Sequence, residues 1–301
     1  MMRIQVEHDT IYQYYQPVEL AHHLAYLQPL SKGWQQVVKA SLNITPTPDF
    51  QVVNDDAFGN KRTFFNFVKP HQELIVRSNC EVLSKPHYIA FEPAKTPAWQ
   101  TVKDAMIYSL EQPYAPASEF IWPSPFVPWL RDLHDYAMQS FTFKRSIGEG
   151  LVELNQRIFQ DFLYNPQATE IHTPLAEVFT QRAGVCQDFS HIMVGCLRAI
   201  GLPAQYVSGY LLTKPPEGQP KLRGADASHA WVNAYCPGAP GGWLELDPTN
   251  QAIADLGYVR LAYGRDFGDV SPLRGLIRGG GAHSLRIEVT SQEIELTRLE
   301  S

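Results

Sequence analysis

Apolar and polar positions change their rhythm twice along this chain. Up to about residue 85 the apolar runs are short and strand-like. Arg3–Tyr15 mixes polar residues with aromatic and β-branched ones, and Gln35–Ile44 (QQVVKASLNI) and Leu74–Leu83 (LIVRSNCEVL) have strand composition. Asp56–Asn60 (DAFGN) is a turn signal between such runs. The pattern predicts an all-β domain over residues 1–85. Prolines and aromatics dominate 86–128, as in KPHYIAFEPAKTPAW and EQPYAPASEFIWPSPFVPW. That many prolines forbid long helices, so the stretch reads as a connector anchored by Trp99, Trp122 and Trp129.

From 126 to about 165 the rhythm becomes helical. Leu151, Leu154, Ile158 and Phe162 recur at helical spacings, and Asn165-Pro166 ends the run. Leu175–Arg182 (LAEVFTQR) predicts a short helix. Cys186–Ile200 predicts an amphipathic one, with Phe189, Ile192, Met193, Cys196, Leu197 and Ile200 on its apolar side and Gly201 as its stop. Strands return at Ala204–Leu212, Ser228–Tyr235 and Trp243–Leu246, with a last one at Leu285–Leu296. The expected fold class is α+β. A core over 129–301, including that last strand, follows the N-terminal β domain and the connector.

Composition adds little beyond exclusions. Of 301 residues, 44% are hydrophobic and 19% charged, which suits a well-packed globular protein. A formal net charge of −6 argues against nucleic acid and anionic membranes as partners. The opening MMRIQVEHDTIYQYY has no apolar stretch after Arg3, and IMVGCLRAIG is short and carries Arg198. A soluble, cytoplasmic protein is expected.

Chemistry concentrates in three segments. RAGVCQDFSHIM sets Cys186 at the mouth of a helix, where unpaired N–H groups and the helix dipole favour a thiolate and an oxyanion. SHAWVNAY alternates, placing His229, Trp231, Asn233 and Tyr235 on one face and small apolar residues on the other. WLEL leads into Asp247, and CPGAPGG joins the two strands. The midpoint between His229 and Asp247 is Gly238, inside that turn, so a symmetric hairpin sets the two side chains opposite each other on one face. A slip of one or two residues at Gly241-Gly242 is the alternative register.

Each residue has a plainer reading: a packed cysteine, a buried histidine, a turn aspartate. Together they form a nucleophile, a base and an orienting carboxylate, the logic of acyl transfer through a thioester. His191 would point roughly 140° around the helix from Cys186 and is discounted as the base. Asp188 reads as a complement to the helix dipole. Cys80 and Cys196 read as buried small hydrophobes, and Cys236 opens a turn. No cofactor is expected. The pairs His22-His23 and His8/His71 lack metal-ligand spacing, and Gly279–Gly281 runs into a strand instead of cradling a phosphate before a helix.

RAGVCQDFSHIM, SHAWVNAY and WLELDPTN resemble the three core motifs of the transglutaminase-like superfamily. More narrowly, the chain resembles its bacterial members described as cysteine proteases with an N-terminal β domain. YQYYQPVELAHHLAYLQP, DDAFGN and YGRDFGDVSPLRGLIRGGGAHSLRIEV carry that part of the likeness. The resemblance implies a papain-like core with a catalytic triad of Cys186, His229 and Asp247, without calcium. It maps no side-chain oxyanion donor beyond Gln181, a weak candidate. Peptide or amide hydrolysis is expected first, with a peptide or protein as substrate. Transamidation by the same triad and a binding protein with a vestigial site are the alternatives. The two-domain layout implies a cleft that Trp99, Tyr114, Phe120 and Trp122 could line, although packing is their plainer role.

Overall fold

The structure is a computed structural model that describes residues 1–111, 113–213, 224 and 226–295. The first domain is built on one long strand, β1 (Met2–Ala25). It is followed by β2 (Gln35–Thr45), β3 (Phe50–Asp55), β4 (Lys61–Phe67) and β5 (His71–Ser84), giving the sheet order β2-β5-β1-β4-β3. All of these pairings are antiparallel.

The connector holds only a short helix, α1 (Trp99–Asp104), and 3₁₀ turns. Trp99 anchors it, 6% exposed, with its indole N–H donating to the Thr142 carbonyl at 2.9 Å. Trp122 and Trp129 do not anchor it: they are 66% and 56% exposed.

The predicted helical run of 126–165 is two helices, α2 (Arg131–Met138) and α3 (Ile147–Asp161). They are separated because Lys144 takes a φ of 60° and Ser146 caps α3, its hydroxyl accepting from the Glu149 amide. β6 (Leu163–Tyr164) pairs in parallel with β7 (Ala183–Gly184), and α4 (Leu175–Gln181) lies between them. Arg182 closes α4 in the left-handed region. α5 (Cys186–Ala199) follows as predicted, but it is not half-solvated. Every residue from 188 to 198 is buried, because α2, α3 and α4 cover the side that the sheet does not.

That second sheet is antiparallel, ordered β11-β10-β9-β8-β12. Its strands are β8 (Ala204–Leu211), β9 (Ser228–Tyr235), β10 (Trp243–Asp247), β11 (Ala252–Ile253) and β12 (Tyr258–Gly264). The chain then turns through α6 (Phe267–Val270) into β13 (Leu273–Gly279) and β14 (His283–Ile294).

These last two strands depart from the expected layout. Both pair antiparallel with β1, so the C-terminal strand completes the first domain's sheet rather than the core. The reason lies in β1: β4 and β5 take one of its edges along nearly the whole strand, and the opposite edge is left for β13 and β14. Residues 296–301 of the expected core domain lie outside the described residues.

The two sheets meet face to face. Ile4, Val6, Cys80, Val82 and Val289 of the first pack against Tyr210, Val259 and Leu261 of the second. Two buried amides clip the domains together. Gln35 donates to the Arg260 carbonyl at 3.0 Å and accepts from the Arg260 amide at 2.9 Å. Asn60 does the same with Tyr263, at 2.7 and 2.8 Å. Each side chain copies the hydrogen bonds of a neighbouring strand and so satisfies the edge of β12.

Burial leaves three histidines acid-sensitive. It lowers His8 and His23 to about 4 and His191 to about 3. The unfolded chain therefore binds more protons below pH 6.5, and stability drops as pH falls from 6.5 towards 4. Melting temperatures measured across that range should fall steeply, and a flat profile would contradict the buried, neutral assignment. Gly209 supplies a second test. A Cβ there would collide with the Val259 carbonyl and the Trp231 ring. Gly209→Ala should cost about 1–3 kcal/mol in denaturant unfolding.

Candidate active site

Cys186 opens α5 and is partly exposed. Asp188 shapes the turn before it: its Oδ2 accepts from the Val185 amide at 2.9 Å and from the Thr169 hydroxyl at 2.6 Å. A side chain at Gly184 would strike that carboxylate, which explains a glycine two residues before the cysteine. Asp188 thus does what a first-turn acid is expected to do, tying down the helix start. The first-turn N–H groups of α5 have no intrahelical acceptor.

His229 and Asp247 meet as predicted, in the slipped register that the sequence allows. The observed pairs, Trp243 with Tyr235 and Leu246 with Val232, are slipped by two residues from the symmetric hairpin. The turn at Pro240–Gly242, with Gly241 and Gly242 at positive φ, takes up the difference. An even slip preserves the face, so Asp247 becomes a diagonal neighbour of His229. The His229 Nε2 lies 2.7 Å from Asp247 Oδ2. Cys186 shares a cavity with the ring and lies near enough to help raise its pKa. All three predicted residues are therefore together.

Burial by itself would lower the His229 pKa. Its interactions with Asp247 and Cys186 more than reverse this, raising it to about 10. Asp247 has no exposure. Burial pushes its pKa up, but hydrogen bonds from His229, Asn250 and Tyr258 hold it below the ordinary carboxylate value.

Those partners were not anticipated. Tyr258 donates its hydroxyl to Asp247 Oδ2 at 2.8 Å and Asn250 its amide at 2.7 Å. The amide of Thr249 donates to Oδ1 at 2.9 Å. The Asp-Pro-Thr-Asn string contains a signal for the last two, because an aspartate accepting from amides two and three residues on is an Asx turn. Nothing in the sequence points to Tyr258.

A second buried network backs the first. Glu245 accepts from the Trp231 indole at 2.7 Å, from Arg260 Nε at 2.9 Å and from the Tyr263 hydroxyl at 2.8 Å. Trp231 in turn stacks on His229, with ring centroids 6.0 Å apart.

The other candidates lie elsewhere. His191 is buried, with its Nε2 accepting from the Phe267 amide at 3.1 Å, and so is occupied as an acceptor. Gln181 is exposed and bonded to Glu177 at 2.9 Å; it does not line the site. Cys80, Cys196 and Cys236 are buried. Among the described residues, no group of three or more His, Cys, Asp or Glu side chains could hold a metal ion.

Cys186 and His229 open onto a cavity of about 320 Å³. One side comes from the core, including Tyr206, Ser208 and Phe267. The other comes from the first domain: His8, Thr10 and Tyr12 of β1 and Leu285 and Ile287 of β14. The connector aromatics Trp99, Tyr114, Phe120 and Trp122 do not line it. Among the described residues, no Asp, Glu, Lys or Arg lines it. His8 adds no charge at neutral pH: buried, it is held at about 4, with Tyr210 at 2.8 Å and Thr10 at 3.1 Å.

A helix-tip cysteine facing a His–Asp pair on an antiparallel sheet defines a papain-like core. Comparison with known proteins gives the family. The model of the transglutaminase-like superfamily matches residues 136–248, and that of the bacterial transglutaminase-like N-terminal region matches residues 4–83. The chain belongs to the transglutaminase-like superfamily. An uncharacterized protein of Mycobacterium tuberculosis is 38% identical over 290 residues, covering 94% of this chain and 90% of its own. A protein-glutamine gamma-glutamyltransferase of Pseudomonas aeruginosa is 33% identical over 106 residues, 33% of this chain and 16% of its own. Among solved structures, a candidate cysteine protease of Cytophaga hutchinsonii shares the fold with a TM-score of 0.75. It is 19% identical, and the match covers 98% of this chain and 92% of that one.

Accessibility makes the cysteines distinguishable. Iodoacetamide at neutral pH, followed by peptide mapping, should modify Cys186 well before the other three. Equal labelling of Cys196 or Cys236 would show that the fold opens to expose its buried thiols.

Proposed function

We propose that this protein cleaves amide bonds in peptides or proteins by thiol-dependent acyl transfer, with Cys186 as nucleophile, His229 as base and acid, and Asp247 as orienting carboxylate. The observation that carries the reading is that Cys186, at the tip of α5, shares a cavity with His229, whose Nε2 lies 2.7 Å from the fully buried Asp247.

His229 takes the Cys186 proton at the nitrogen that Asp247 does not hold. The sulfur attacks the substrate carbonyl carbon, a C–S bond forms, and the carbonyl π pair moves onto oxygen. Backbone N–H groups in the first turn of α5 stabilise that oxyanion. The C–N bond then breaks as His229 returns the proton to the departing amine, leaving a thioester. Water gives a proton to His229 and attacks the thioester, the C–S bond breaks, and the sulfur recovers its proton as the acid leaves. With its pKa raised to about 10, His229 keeps its acid form through the neutral range once it has the proton.

Transamidation is the second reading. The likeness to the P. aeruginosa protein-glutamine gamma-glutamyltransferase over 106 residues favours it. Only the acceptor changes, an amine replacing water at the thioester.

Broad peptide libraries incubated with wild type and with Cys186→Ala test the proposal. Fragments should appear with wild type alone. Their rate should decline as pH rises through about 10, where His229 loses its proton. Identical mass spectra from the two proteins would sink it. Incorporation of a labelled amine without hydrolysis would select the second reading.

A further inference from the structure

The cavity beside Cys186 has an unusual wall: the open edge of a β-strand. β14 lies along β1 with Thr10 opposite Ile287 and Tyr12 opposite Leu285. The direction of its other backbone groups follows from two observations. The Val289 carbonyl accepts from the Asp226 amide at 3.0 Å, and the Ser291 amide donates to the Asp226 carboxylate at 2.7 Å. Residues 289 and 291 therefore turn their N–H and C=O away from β1. Strand periodicity makes 285 and 287 do the same. Among the described residues, nothing pairs with those groups of Leu285 and Ile287. The core chain meets this edge at Asp226 and then leaves it, because Ser228 and His229 turn away to pair with β8. A gap opens at that point, and it is the cavity holding Cys186 and His229.

The geometry points to an extended acyl-donor peptide that enters this gap as an added strand on the β14 edge, hydrogen-bonded to the main chain of Leu285 and Ile287. The occupant is defined by the walls. An extended backbone supplies the alternating donors and acceptors that an open edge lacks. Leu285 and Ile287 are 48% and 52% exposed and, with Phe267, Pro272 and Leu273, offer apolar contact. Among the described residues the lining holds no Asp, Glu, Lys or Arg, so a charged side chain of the substrate buried against Leu285 and Ile287 would find no ion-pair partner there. The chosen substrate is thus an extended segment with uncharged side chains around the attacked carbonyl. This inference rests on the acyl-transfer reading. It adds that the N-terminal domain's sheet, and not the core alone, binds the substrate.

The test uses the full chain carrying Cys186→Ala and blocked hexapeptides that alternate Val and Ser around a central Gln or Ala. Binding should slow hydrogen exchange at the Leu285 and Ile287 amides. N-methylating the alternate peptide amides that face the edge should weaken binding about tenfold, and so should replacing a Val by Lys or Asp. In otherwise wild-type protein, Ile287→Pro removes an outward N–H without touching the β1 ladder. It should reduce peptide turnover about tenfold while leaving iodoacetamide labelling of Cys186 unchanged. Peptide turnover by wild type, with no edge protection and no effect of N-methylation, would overturn the inference and leave the acyl-transfer reading intact. Edge amides already protected in free protein, increasingly so with concentration, would assign the edge to a second copy of the chain and also overturn it. A wild type that neither binds nor turns over any peptide would remove both.

Discussion

Asp247 is a carboxylate kept away from water, and much of this molecule is arranged to make that tolerable. Burying an ion costs several kcal/mol unless protein dipoles and charges replace the lost hydration. Here the replacement is a ring of donors: His229, Tyr258, Asn250 and the Thr249 amide. They come from three separate stretches of chain, so the carboxylate acts as a knot. The strand bearing His229, the turn after β10 and the start of β12 are all held to one oxygen pair. The bond from His229 that helps solvate Asp247 also fixes the orientation of the imidazole.

A second buried charge pair sits behind it. Arg260 and Glu245 are essentially unexposed, and their remaining hydrogen-bonding groups are met by Trp231, Tyr263 and backbone carbonyls. Because Trp231 stacks on His229, this network supports the imidazole from the face that Asp247 does not reach. Arg260 also receives Gln35 from the first domain. The domain contact and the site therefore share residues, and loosening one would be felt at the other.

Much of this was legible in the sequence. The Cys186 helix and the β9 strand follow from periodicity, and the His229–Asp247 meeting survives the two-residue slip that the turn glycines permit, because parity decides which face a side chain takes. The role of Tyr258 was not legible, because its meaning depends on β12 crossing the sheet to stand beside β8. The tail was misplaced for a similar reason. A strand pattern at 285–294 says that a strand exists, but pairing with β1 is a matter of which edge is open. Gln35 and Asn60 look like ordinary polar residues in strand and turn, and only the exposed edge of β12 shows why two amides are buried there.

The sheet containing β1 is begun by the first residues of the chain and finished by β13 and β14, nearly the whole chain length later. Such distant pairing is slow to form, since a long loop must close before any bond rewards it. The core strands pair over far shorter separations. The wall that Leu285 and Ile287 give the cavity beside Cys186 therefore rests on the longest-range pairing in the sheets.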